Sequence, residues 1–267
     1  MLGKLLKYEI KATSRIFLPM YALLIVFAFI NKFFITVNSE SFNIPQFISM
    51  SIFVIIIVGI SVMTLVVTIQ RFNKNLLTDE GYLSFTLPVK AHTHIDCKMI
   101  ISFMWTILSV VVSLLAVFVM AVDGKTLEKI RHALDQMIPA FNSLGGAGYV
   151  ILLEGIVLLI VGTLSSIISI YVAITIGNMS SKHKLLVGLG AYLGCGVIEQ
   201  IVSSILISAF GTKIAQYFDS LNSTSNVAQI CTVVQLLMLA VIVFCLVFGV
   251  AYYFITDWML RRKLNLE

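Results

Sequence analysis

Two acids, Glu154 and Glu199, stand in stretches otherwise almost wholly apolar. A charge at the centre of a bilayer costs about 2.5–3.5 kcal/mol on insertion scales, so such carboxylates face a protein interior or water. They serve as proton or cation carriers, as parts of a gate, or as protonated hydrogen-bond anchors. Glu199 is the deeper of the two; Glu154 lies nearer the outer edge of its stretch and is a candidate for an outer gate. A second group, His92-Thr-His94-Ile-Asp96-Cys97, has the residue types of a zinc site. A metal needs three or four ligands of defined geometry, and in a helix residues two apart diverge, so the expectation here is a solvated surface cluster and no metal.

Other chemistries are excluded by position. All four histidines fall outside the apolar stretches, so neither a Ser-His dyad nor an HExxH zinc site can form within a bilayer. The phosphate loop GxxxxGK[ST] does not occur. The chain is expected not to be an enzyme and to hold no cofactor of its own.

These residues are positioned by membrane-spanning helices. Of 267 residues 59% are hydrophobic and 12% charged, where an average soluble domain has about 25% charged. Six stretches reach the roughly 17–25 residues that a spanning helix needs. They are Phe17–Ile35, Phe47–Ile69, Ile100–Val122, Tyr149–Ile176, Leu185–Phe210 and Ile230–Ile255, leaving no soluble domain between them. The expected fold is all-α, with residues 1–267 forming a single transmembrane domain.

Charge orients it. With the N-terminus inside, 13 of the 18 Lys and Arg residues fall on the inner side. That bias follows the positive-inside rule and places both termini in the cytoplasm. The net charge of +5 is spread along this inner face, so it reads as a topology signal, with no nucleic-acid patch.

Between the stretches lie two amphipathic segments. Residues 1–15 set Leu2, Leu5, Leu6 and Ile10 beside Lys4, Lys7 and Lys11, which predicts a helix in the headgroup plane ahead of the first span. Leu127, Ile130, Leu134, Met137 and Ile138 recur at intervals of one, three and four, which predicts a helix on the outer membrane surface. In the fifth span Gly190 and Gly194 have the GxxxG spacing that allows helices to approach closely in lipid.

The stretch from Asn75 to Val89, Asn-Leu-Leu-Thr-Asp-Glu-Gly-Tyr-Leu-Ser-Phe-Thr-Leu-Pro-Val, joins the second and third spans on the cytoplasmic side. Leu76, Leu77, Leu83, Phe85 and Leu87 are too apolar to stand alone in water, while Asp79 and Glu80 are too charged for hydrocarbon. Gly81 could end a helix leaving the membrane, or Thr78 could cap a new one with Asp79 and Glu80 in its first turn. Either way Pro88 stops the element, and a short amphipathic piece faces the cytoplasm.

That stretch, followed by Lys98 and the next span, resembles the first cytoplasmic loop of permeases of the type-2 ATP-binding-cassette (ABC) exporter family. The six-span layout with an N-terminal amphipathic helix is similar as well. The resemblance implies that the loop is a coupling element docking into a separate ATPase subunit through Leu76, Leu77, Asp79, Glu80, Tyr82, Leu83 and Phe85. It further implies ATP and Mg on that ATPase, a second permease half, identical or related, and a place in the plasma membrane, as in bacteria. The expected function is export of an amphipathic or hydrophobic substrate such as a peptide, drug or lipid-like molecule. The alternative is a proton- or cation-coupled secondary transporter using Glu154 and Glu199.

Overall fold

The computed structural model describes residues 2–37, 43–77, 91–180, 182–222 and 227–262. Among them there are seven helices and no strand: α1 (Leu2–Val37), α2 (Asn43–Leu77), α3 (Ala91–Ala121), α4 (Gly124–Ser143), α5 (Gly146–Gly177), α6 (Lys184–Asn222) and α7 (Val227–Arg262). All but α4 are long and apolar enough to cross a membrane. Each expected span lies inside one of them, apart from Val122, which follows the end of α3. The six helices have 31 to 39 residues. A 30 Å hydrocarbon layer needs only about 20, so they tilt or continue beyond it.

The first helix departs from expectation. Residues 1–15 were expected as a separate interfacial helix, but α1 is unbroken from Leu2 to Val37, with Pro19 inside it. Proline removes one backbone donor, and the helix continues past it. The N-terminal turns have a packing partner instead of standing alone, because Thr13 and Phe17 both meet Trp105 of α3.

The chain divides into two compact units, residues 1–132 and 133–267. In the first, α1 packs on both α2 and α3, and α2 on α3. Its core takes Phe17, Tyr21, Leu24 and Ala28 from α1, which recur at intervals of four and three. From α2 come Phe53, Ile60 and Val67, seven apart, the repeat of a helix seam packed at a shallow angle. Cys97, Ile101, Trp105 and Ala116 complete it from α3. Lipid tails are as apolar as these side chains, so the helices are held by close packing and hydrogen bonds rather than by escape from water. Both are visible. Phe17 stacks on Trp105 with centroids 4.5 Å apart, the Trp105 indole donates to Thr13 Oγ1 at 2.7 Å, and Ser109 Oγ lies 2.7 Å from the Tyr21 hydroxyl and 3.1 Å from Thr64 Oγ1. Asn31 Nδ2 crosses to the Ser49 carbonyl at 3.3 Å.

In the second unit α5 is the central helix, with α6 and α7 packed on it. Ile167, Ile168, Tyr171, Val172 and Ala173 bury one end of α5. Ser165 Oγ donates to the Cys245 carbonyl at 2.8 Å, and a Cβ added at Gly249 would stand 2.9 Å from that same Oγ, so only glycine fits there without Ser165 moving. The tightest approach joins α5 to α6. A Cβ at Gly177 would fall 2.6 Å from the Lys184 carbonyl oxygen and 2.8 Å from Gly188 Cα.

Helix α4 follows α3 after Val122 and Asp123, and Leu144 and Gly145 lead on to α5. Gly145 takes φ +56°, a left-handed turn that glycine adopts without steric cost. Leu127, Leu134, Met137 and Ile138 of α4 are exposed along one side, giving the amphipathic helix that their spacing implied.

Candidate functional site

The loop residues carry the sharpest functional reading, and most of them lie outside the described residues: Asp79, Glu80, Tyr82, Leu83 and Phe85. Leu76 and Leu77 are the last two residues of α2. The helices that bound residues 78–90 are α2 and α3, both in the first unit.

Near those helix ends the structure brings together three charges from three helices. Lys98 of α3 donates to Glu9 Oε1 of α1. Arg71 Nη1 of α2 stands 3.7 Å from the other oxygen of the same carboxylate. The Glu9 and Lys98 side chains are 13% and 7% exposed, so this pair is largely withdrawn from solvent, while Arg71 at 29% reaches its edge. Desolvating two charges offsets much of their attraction, and an apolar pair of equal size is often no less stable. Removing one partner is different, because it strands a buried charge.

By its place in the sequence Lys98 belongs to the inner membrane surface, and no motif marks Glu9. A signal was present. Glu9, Thr13, Phe17 and Tyr21 are spaced by four along α1, and Lys98, Ser102, Trp105 and Ser109 by four and three along α3, so each helix carries a polar and aromatic stripe on one face. The same register corrects the expectation of a solvated His92–Cys97 cluster. Because α3 begins at Ala91, His94 and Cys97 fall on the side of Lys98 and Ile101, and both are buried. Among the described residues no group of three or more His, Cys, Asp or Glu could hold a metal ion.

The intramembrane carboxylates both belong to the second unit. Glu154 is on α5, and its Oε2 is buried with no hydrogen-bond partner. Glu199 is on α6, half-buried beside the Tyr252 hydroxyl of α7 and the Cys195 thiol one turn away. Cys245 of α7 lies near the same carboxylate. Glu199 is thus the centre of a small polar group, able to hold a proton.

The close-packing glycine of α6 within this chain is Gly188. A Cβ there would lie 3.3 Å from the Ala173 carbonyl oxygen, whereas at Gly190 and Gly194 it would meet nothing within 4 Å. The GxxxG pair therefore lies on an open face of α6.

Comparison with protein-family models, with curated proteins and with solved structures finds no match.

Proposed function

We propose that the chain is the membrane-spanning permease subunit of an ATP-driven exporter of the type-2 ATP-binding-cassette kind. ATP and Mg bind to separate ATPase subunits, and the 75–89 stretch is the contact through which their closure is felt. A second permease half, identical or related, completes the pathway, and the open Gly190 and Gly194 face of α6 is available to it. Movement of the spans then follows an alternating-access cycle, in which packed helices have two discrete arrangements. The cargo is amphipathic or hydrophobic, in keeping with walls that carry few charges. The protein sits in the plasma membrane with both termini in the cytoplasm, as in bacteria.

One observation carries this reading: a strongly patterned segment, apolar anchors around Asp79 and Glu80, is placed between two helices long enough to extend past the bilayer. An apolar centre with a charged rim is the anatomy of a protein interface.

The test is purification of the tagged chain in mild detergent. A stoichiometric ATPase should accompany it, and Leu83→Asp or Glu80→Lys should abolish that association while the spans stay inserted. Normal ATPase recovery from both variants removes the basis for the contact. A second reading, a carrier coupled to protons or cations, is favoured by the buried, unbonded oxygen of Glu154 and the polar group around Glu199. It would gain if the chain purifies alone and flux depends on a proton gradient.

A further inference from the structure

Glu9 divides its two carboxylate oxygens between cations on two different helices, Lys98 on α3 and Arg71 on α2. Those are the helices by which the chain reaches and leaves residues 78–90, and the two cations lie near the helix ends that adjoin them. Farther along, Trp105 bonds Thr13 and stacks on Phe17, so α1 and α3 are joined again in register behind the charges. A buried ion pair with a third charge at its edge is not needed to hold three apolar helices together, since apolar residues of equal volume do that as well or better. What it adds is a directional tie between particular residues.

We propose that Glu9 is a positioning residue, a shared counter-ion that clasps the ends of α1, α2 and α3 into one body, so that a displacement at residues 78–90 is carried to α1. The role rests on the exporter reading above, because it presumes that a partner moves that segment. Glu9 touches neither cargo nor nucleotide. It determines how much of the motion delivered to α2 and α3 reaches the rest of the unit.

The experiment compares the wild-type chain, copurified with its ATPase and reconstituted in vesicles, with Glu9→Gln and with the charge exchange Glu9→Lys/Lys98→Glu. Three quantities are read: thermal stability, ATP hydrolysis, and export of a fluorescent amphipathic probe per ATP hydrolysed. Glu9→Gln keeps the shape of the side chain and loses its charge. It should retain ATPase association and hydrolysis, while probe exported per ATP falls at least about fivefold, the lower range of couplings between distant sites. The charge exchange restores the α1–α3 pair but sets a cation of α1 against Arg71, so it should recover only part of that loss. Should Glu9→Gln fail to accumulate, the apolar pair Glu9→Leu/Lys98→Met, which removes both charges of the buried pair, is read in the same way.

A purely structural Glu9 would lower stability and leave export per ATP unchanged in whatever protein folds. Glu9→Gln that couples like the wild type therefore overturns the clasp while leaving the exporter reading intact. A wild-type chain that arrives without an ATPase overturns the exporter reading, and with it the role given to Glu9.

Discussion

Trp105 of α3 meets three residues of α1. It stacks on Phe17 with an interplanar angle of 14°, donates to Thr13, and stands 6.3 Å from the Tyr21 ring. Tyr21 in turn shares Ser109 with Thr64, so the hydroxyl chain remains half satisfied when either end is removed. Hydrogen bonds between membrane helices average about 0.6 kcal/mol, whereas truncating a buried aromatic residue to alanine costs about 3–5 kcal/mol in water-soluble cores. Lipid returns part of the transfer term, so Trp105→Ala belongs near the low end of that range. Tyr21→Phe should therefore be mild, about 0.6 kcal/mol, and Trp105→Ala several times worse. Reversible unfolding in mixed micelles measures both, and the opposite order would mean that polar bonds rather than packing hold these helices.

At the scale of the helix, glycine is the informative residue, and only its neighbours say what it does. At Gly177 the atoms that a methyl group would strike are backbone atoms of α6, which cannot rotate away. Gly177→Ala must push α5 and α6 apart, at a cost of about 1–3 kcal/mol typical of overpacking. Gly190→Ala and Gly194→Ala meet open space and should gain slightly from helix propensity, by up to about 1 kcal/mol. Thermal stability of the single chain checks all three. If the Gly190 and Gly194 face receives a second permease half, the two substitutions will weaken association measured by light scattering while stabilising the protomer.

At the scale of the whole molecule the unequal distribution of Lys and Arg is the governing fact. If all six helices that are long and apolar enough to span do so, 13 of 18 basic residues fall on the side of the termini. Alkaline phosphatase fused after Ser143, in the segment carrying α4, should be active, and fused at the C-terminus inactive; a green fluorescent protein should give the reverse. Activity at the C-terminus would invert the orientation and remove residues 75–89 from the cytoplasm, where the proposed partner must be.

The membrane class, the number of spans and their approximate limits are legible in one dimension, because hydrocarbon imposes a length of about 20 apolar residues whatever packs against them. The amphipathic character of α4 is legible for a similar reason, since the period of its apolar residues is local. Pairing between helices is not. The stripes that hold Glu9 and Lys98 mark a face on each helix, but they do not say that the two faces meet across 89 residues, nor that Arg71 shares the same carboxylate, because lateral contacts depend on the rotation of each helix about its axis. The same unknown rotation turned His94 and Cys97 inward, chose Gly188 over Gly190 as the point of contact, and set Tyr252 beside Glu199. A solvent that recognises only apolar length leaves those rotations open, and close packing of side chains between the helices selects them.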